Sequence, residues 1–322
     1  MRREILNLLA CPNCHGELEI EETAGNYLRV TAAIIRCPQC GAKYPVSEGI
    51  ADFRGDTPLE LLQEPDWADE AITKEGRDRV YDAYWIALPE EVRRHGPRMI
   101  RDLARLALPK SGVILDVGTG AGTLLEEILK NIGRTTLVVG IDHSLSVTRA
   151  TRAHLLRTGR YGPVSLVVCD VRRLPFKDEV FAAACSFAGY QEVQSDPARG
   201  VIETYRTLKK SAPIAFGATV VRENSRTAAL LAQKGLERIF VARFLRDVFN
   251  QAGFVQVHFR TYLSGTWPGN QYEPVPLAGD WYGHGILTGV KPMVVPVRRV
   301  RSRTVRRPPA NHRTRRPSRP AR

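Results

Sequence analysis

The sequence predicts an α/β protein: a seven-stranded, doubly wound sheet with helices on both faces, preceded by a small unit stapled by metal. Three observations carry this. Beyond residue 110, short apolar runs alternate with helical spacings, the rhythm of a mostly parallel sheet. The first run, 113–117, ends in a glycine-rich loop, Asp116-Val117-Gly118-Thr119-Gly120-Ala121-Gly122, that opens a helix. Ahead of all this, four cysteines stand in two Cys-x-x-Cys pairs within the first 40 residues.

The N-terminal unit is expected over 1–55. Its pairs, Cys11-Pro12-Asn13-Cys14 and Cys37-Pro38-Gln39-Cys40, are separated by 22 residues. Two such knuckles supply four thiolates that can close a tetrahedral zinc site. Four thiolates leave no position for water, so the zinc expected on Cys11, Cys14, Cys37 and Cys40 is structural. His15-Gly16 and Gly41 follow the knuckles, where backbone tolerant of positive φ is wanted. Residues 17–36 alternate as a hairpin with Gly25-Asn26 at its turn. A unit of about 50 residues buries too little core to fold firmly alone, so the metal contributes most of its stability.

Residues 56–109 read as a helical linker or cap, interrupted by Pro65, Pro89 and Pro97, with an apolar stripe of Met99, Leu103, Leu106 and Ala107. The sheet domain follows over 110–292. Strands are expected at 113–117, 136–141, 165–169, 180–186, 214–220, 255–262 and 286–290, and helices at 122–131, 145–157, 197–208 and 241–251. Ligands of such a sheet bind outside the carboxyl ends of its strands. Cys169 and Cys185 fall in these strands as packing residues. The Arg/Pro-rich stretch 293–322 is expected to be disordered.

Hydrophobic residues at 43% and charged residues at 25% exclude a wholly disordered chain. Of the formal net charge of +13, twelve charges lie in 291–322, so the rest is close to neutral and the basicity describes a tail. The first ten residues are too interrupted for a signal sequence, and no run approaches the roughly 20 apolar residues of a membrane span. The expectation is a cytoplasmic protein with reduced cysteines.

Gly118, Gly120 and Gly122 let backbone pass close to a ligand, a device that nicotinamide and flavin sites share. The acids narrow it. Asp116, two residues before the first glycine, suits an amino-bearing ligand better than a pyrophosphate. Asp142 ends the next strand, where a carboxylate accepts both ribose hydroxyls, and Asp170 ends the third, within reach of an adenine amino group. Together they describe a nucleoside site without phosphates.

With these residues the sequence resembles the class I S-adenosylmethionine-dependent methyltransferases, a Rossmann-like family, in the branch with D-x-G-x-G-x-G, a strand-end D and D-x-x-x-L-P-F. Here these are Asp116 to Gly122, Asp142, and Asp170-Val171-Arg172-Arg173-Leu174-Pro175-Phe176. The likeness runs on through Gln191-Glu192-Val193, Ala252-Gly253-Phe254 and Gly289-Val290-Lys291-Pro292. It implies S-adenosylmethionine as cofactor. Asp116, Gly118, Thr119, Gly120, Gly122 and Ser186 would then meet its methionyl part, Asp142 and His143 its ribose, and Asp170 and Val171 its adenine. Two departures are Phe181-Ala182 for the usual Phe-Asp and Lys210-Ser211-Ala212-Pro213 for Lys-Pro-Gly-Gly. The N-terminal unit resembles the Trm112-like zinc ribbons through Leu8-Leu9-Ala10-Cys11-Pro12, Arg36 to Gly41, Tyr44-Pro45-Val46 and Glu48-Gly49-Ile50. That likeness implies a ribbon fused in cis to the enzyme it stabilises.

Methyl transfer from a sulfonium is an in-line displacement, and the protein's task is alignment. A base matters only where the acceptor must lose a proton. The stretch 186–192 should face the acceptor, and it lacks an Asn-Pro-Pro-Tyr-like motif, which counts against exocyclic base amines and glutamine side chains. Tyr190 and Glu192 are its candidate acceptor contacts. His258 reads as a strand histidine and His284 as a loop histidine. The aromatic segments 81–85 and 267–282 are equally a cover for the site or ordinary core. Ribbon and basic tail favour an RNA base slightly over a small quinone-type or natural-product acceptor. A non-catalytic cofactor-binding scaffold is a third reading, and the oligomeric state is not legible.

Overall fold

The computed structural model describes residues 1–55, 65, 67–109 and 111–293. The first unit holds α1 (Arg3–Leu6) and strands β1 (Glu19–Gly25), β2 (Val30–Arg36), β3 (Lys43–Ser47) and β4 (Ile50–Asp52). Three helices follow: α2 (Trp67–Glu70), α3 (Lys74–Ala87) and α4 (Glu90–Leu106). The chain then alternates through β5 (Gly112–Val117), α5 (Thr123–Leu129), β6 (Thr136–Asp142), α6 (Leu145–Arg157) and β7 (Val164–Val168). Its second half holds β8 (Ala183–Phe187), α7 (Pro197–Thr207), β9 (Pro213–Val221), α8 (Arg226–Gln233), α9 (Glu237–Phe240) and α10 (Ala242–Ala252). The hairpin of β10 (Val255–Thr266) and β11 (Trp281–Val290) closes the sheet.

All eleven strands form one sheet, in the order β1-β2-β3-β4-β7-β6-β5-β8-β9-β11-β10. The centre is parallel, and β11 runs antiparallel to both β9 and β10. Strand β7, Val-Ser-Leu-Val-Val, is buried at every position, as a parallel strand covered on both faces must be. The seven strands expected from the spacing are present as β5 to β11. The first unit adds four more to the same sheet, because β4 lies parallel to β7 with Ile50 opposite Leu166 and Asp52 opposite Val168.

Side-chain alternation divides the core between two faces. Ile114, Val138 and Leu166 pack with Met99 and Leu103 of α4 and Leu124 and Ile128 of α5. Leu115, Val139 and Val167 belong to the opposite cluster, with Val201 of α7, Phe249 of α10, and Ile35 and Val46 of the first unit. The N-terminal unit therefore shares the larger domain's core.

Several local expectations change. The predicted turn holds, with the Asn26 side chain accepting the N–H groups of Leu28 and Arg29 at 2.9 and 2.8 Å. The positive φ after the first knuckle falls on His15 (58°), not on Gly16. Pro97 does not interrupt α4 but lies inside it, where burial of Met99, Ile100, Leu103 and Ala104 offsets the lost hydrogen bond. Leu106 is 47% exposed, at the edge of that stripe in the last turn. β8 begins at Ala183, and Phe181 makes only an isolated bridge to Leu208. Helices α8 and α9 had no counterpart in the reading. The expected tail beyond Met293, and 56–64 of the expected linker, lie outside the described residues. Among the described residues, no helix is long and apolar enough to cross a membrane.

Candidate functional site

The carboxyl ends of β5, β6, β7 and β8 bring most of the sequence-predicted residues together. Beyond β5 the loop turns through positive φ at Gly118, Gly120 and Gly122. At Gly118 the reason is close approach: a Cβ there would lie 2.6 Å from Cα of Gly189, in the loop after β8. Asp142 ties the glycine loop to the end of β6. Its Oδ2 accepts the Gly120 N–H at 2.8 Å and its Oδ1 the Ser144 N–H at 3.0 Å. The exposed ring of His143 stands 3.4 Å from the same carboxylate.

Asp116 forms the floor. It is buried, and its Oδ2 has no hydrogen-bond partner among the described residues. Burial pushes its carboxyl up to about 7. Buried polar atoms nearly always have partners, so this oxygen is free to accept from a donor on a bound group. Thr119 Oγ1 donates to the Asp116 carbonyl at 3.2 Å, and Ser186 Oγ donates to the Val117 carbonyl at 2.7 Å. Both hydroxyls fix the loop from within.

Asp170 lies two residues beyond the end of β7 and is already engaged. Its Oδ1 accepts the Arg172 backbone N–H at 2.8 Å and Nε at 3.0 Å, while Oδ2 accepts Nη2 at 2.8 Å. Burial works against ionisation here, but these donors outweigh it and hold the carboxyl below its usual range. An adenine amino group would share Asp170 with Arg172. Val171 packs against Gly200 of α7.

Tyr190 is not an acceptor contact. Its hydroxyl donates to Thr204 Oγ1 at 2.8 Å, its ring meets Phe216 edge-on at 5.1 Å, and the side chain is wholly buried. Glu192, in the loop after β8, is exposed. Burial by its surroundings and then Glu273 push its carboxyl up, with His143 and Asp142 also within electrostatic reach.

On the N-terminal unit the four cysteine sulfurs lie within 4.8 Å of one another, with Cys11–Cys40 at 3.5 Å and Cys14–Cys37 at 3.4 Å. A tetrahedral zinc with bonds of about 2.3 Å needs sulfurs roughly 3.8 Å apart, so the group fits. Three backbone hydrogen bonds bracket the Asp170 segment. On one side Phe53, just past β4, donates its N–H to the Val168 carbonyl at 2.7 Å. On the other, Ala10 donates to the Pro175 carbonyl at 3.1 Å and Lys177 to the Leu8 carbonyl at 2.8 Å.

Comparison with known families decides the assignment. A methyltransferase domain family matches residues 114–211, and the Trm112p-like protein family matches 2–49. The chain carries a class I methyltransferase domain behind a Trm112-like zinc ribbon.

Relatives of the methyltransferase domain include the ubiquinone/menaquinone biosynthesis C-methyltransferase UbiE of Desulfotalea psychrophila, 26% identical over 51% of this chain and 74% of that protein. The protein of the same name from Citrifermentans bemidjiense is 31% identical over 34% and 46%. The 2-phytyl-1,4-naphtoquinone methyltransferase of Nostoc punctiforme is 29% identical over 42% and 58%. The chain spans about half the length of most curated relatives it matches. Among solved structures, the cyclase SpnF aligns with a TM-score of 0.51 at 21% identity, covering 63% of this chain and 83% of that one. Phosphoethanolamine N-methyltransferase 2 of Haemonchus contortus, solved with S-adenosyl-L-methionine, aligns with 0.50 at 15%, covering 71% and 60%. These share the fold, and a cyclase among them shows that fold alone names no reaction.

S-adenosylmethionine is the cofactor of this class, and the orphaned Asp116 oxygen fits its ammonium group. Other contacts of the methyltransferase domain had no signal in the sequence. Buried Arg77 of α3 donates to the Ala121 carbonyl at 3.0 Å, fixing α3 to the glycine loop. Tyr84 of α3 hydrogen-bonds Glu273, and its ring meets Tyr272 at 5.8 Å, so the two aromatic segments left open by the sequence meet each other. Gln191 clamps Thr219 of β9, donating to its carbonyl at 2.6 Å and accepting its N–H at 2.9 Å.

Proposed function

We propose that the chain transfers a methyl group from S-adenosylmethionine to a small, neutral, hydroxylated acceptor of the quinol type. The observation that carries this is an acidic edge beside Asp142, where Tyr84 hydrogen-bonds Glu273 and Glu192 lies within electrostatic reach of both. Two carboxylates and a phenol at that edge oppose a phosphodiester chain and suit an uncharged aromatic. The quinone methyltransferases among the relatives support the same class. The slight lean of the sequence toward an RNA base, drawn from the ribbon and the basic stretch 291–322, yields to this acidic edge.

In this reading Asp116 holds the cofactor's ammonium group, Asp142 with His143 the ribose, Asp170 and Val171 the adenine, and Ser186 borders the methionyl chain. Gly118, Thr119, Gly120 and Gly122 bring backbone against it. The bound cofactor supplies a methyl group on a sulfonium, which departs as a thioether when the acceptor's nucleophile takes the methyl in line. The protein aligns the two and excludes water. The zinc on Cys11, Cys14, Cys37 and Cys40 is structural.

A second reading, an RNA acceptor, rests on the Trm112-like ribbon and the twelve cations of 291–322. Incubation with methyl-labelled cofactor and fractionated cell extract separates the two. Label in the organic-extractable fraction is expected, whereas label in RNA would overturn the small-molecule reading.

A further inference from the structure

The sequence placed His284 in a loop, but it stands on β11, directly opposite Thr219 of β9. Here β9 approaches its carboxyl end, on the side of the sheet where the cofactor residues gather. The ring is 9% exposed, and Nδ1 lies 2.9 Å from Thr219 Oγ1. Nε2 is buried without a hydrogen-bond partner among the described residues. Nothing in the methyltransferase chemistry above uses it.

Aromatic side chains surround it, at the edge of a small core cluster of Leu88, Leu263, Trp267 and Tyr282. The His284 ring meets Tyr282 at 5.2 Å, and Tyr282 meets Trp267 at 5.1 Å. Trp267 is wholly buried, and its Nε1–H also lacks a partner among the described residues. So does Asn270 Nδ2, whose Oδ1 holds the N–H groups of Tyr272 and Glu273. Three unpartnered nitrogens thus sit on β11 and on the segment that carries Glu273. Of the nine such atoms among the described residues, three fall in these connected segments, where a hydroxylated ligand would supply a partner. The clamp of Gln191 on Thr219 joins the partner of His284 to the loop after β8 that carries Gly189.

We propose that His284 Nε2 anchors the hydroxyl group of the methyl acceptor. The inference deepens the proposed function and rests on it. A hydroxyl is donor and acceptor in one, so it satisfies Nε2 whichever ring nitrogen carries the proton. Burial drives the imidazole pKa down to about 4, which keeps the ring neutral at physiological pH. A neutral ring matches an uncharged hydroxylated aromatic and brings no positive charge to a phosphate. Thr219 acts as a positioning residue, fixing the ring through Nδ1.

The test uses the full chain loaded with zinc and S-adenosylhomocysteine, with 1,4-dihydroxynaphthalene under anaerobic conditions as probe. In the ¹⁵N-labelled wild type, the diol should shift the Nε2 resonance of His284 and leave Nδ1 nearly unmoved. By calorimetry, His284→Phe should weaken diol binding by about tenfold or more while S-adenosylhomocysteine affinity stays within about twofold. Thr219→Val should give a smaller loss, and His258→Phe, at an exposed position on β10, none. The proposal is overturned by an unmoved Nε2 resonance with the diol bound, by equal diol affinity in His284→Phe, or by failure of the loaded wild type to bind the diol. Failure of the wild type to bind S-adenosylhomocysteine would instead sink the methyltransferase reading itself.

Discussion

Phe53 donates its backbone N–H to the carbonyl of Val168 across 2.7 Å, joining the zinc ribbon to the strand that leads into Asp170. Its ring lies 4.8 Å from that of Tyr44, whose hydroxyl stands 3.5 Å from Cys11 Sγ. The metal centre is thus two side chains away from the proposed adenine edge. With Leu8 and Ala10 holding Lys177 and Pro175, the ribbon grips the Asp170 segment from both ends.

Removing the metal should therefore loosen the cofactor site before the large sheet melts. Cys37→Ser, or treatment with a zinc chelator, should weaken S-adenosylhomocysteine binding by about tenfold or more while most of the far-ultraviolet dichroism persists. Unchanged affinity in the metal-free protein would show that the ribbon contacts are incidental.

Cofactor affinity should depend on pH through Asp116. Its carboxyl, raised from 3.8 to about 7 by burial, holds a proton in the empty folded protein below that value. A cofactor ammonium favours the ionised form, so binding must expel this proton at lower pH. Affinity should rise by up to about tenfold per pH unit toward pH 7 and then level. The sign for folding is opposite: between pH 3.8 and about 7 the folded state binds more protons than the unfolded one, so this group's contribution to stability falls as pH rises. Asp116→Asn should remove both slopes, and calorimetric titration with S-adenosylhomocysteine from pH 5.5 to 8 reads the first directly. A slope that survives the substitution assigns it elsewhere.

Gly189→Ala should damage the site from a position that donates no side chain. A Cβ there would fall 2.4 Å from the Val117 carbonyl oxygen and 2.8 Å from Ser186 Oγ. The expected cost is about 1–3 kcal/mol in urea unfolding, together with weaker cofactor binding. Gly162→Ala, which meets nothing within 4 Å, should stay within about 0.5 kcal/mol of the parent. Equal stability of the two variants would contradict the tight loop contact.

Deleting 294–322 removes eleven arginines. Non-specific RNA affinity and its salt dependence should drop steeply, while methyl transfer to an organic-extractable acceptor stays within about twofold. Turnover that falls in step with RNA affinity would favour the RNA reading.

The parallel sheet was legible because its strands are short apolar runs punctuated by glycine, and the acids at 116 and 142 could be placed at strand ends from that punctuation alone. The junction of ribbon and sheet was not. Ile50-Ala51-Asp52 is too short for any periodicity, and its partner strand is more than a hundred residues away. Nor does sequence reveal that Arg172 takes up Asp170, a pairing repeated at the ribbon's edge by Arg54 and Asp52. Tyr190 looked like a loop residue available to an acceptor, yet Thr204 satisfies its hydroxyl inside the core. His284 was hidden by the glycines around it, which read as loop. At Gly285 the small residue serves packing instead, since a Cβ would lie 2.5 Å from both the Arg260 carbonyl oxygen and the Phe259 ring.

The central claim is a phosphate-free nucleoside site at the carboxyl ends of β5, β6 and β7. Calorimetric titration of the zinc-loaded chain with S-adenosylhomocysteine tests it most directly, alongside Asp142→Ala as the variant that loses the proposed ribose contact. The account predicts one cofactor per chain, with affinity weakened by about twentyfold or more in the variant. Absence of binding to the parent protein, or equal binding to both, would contradict it.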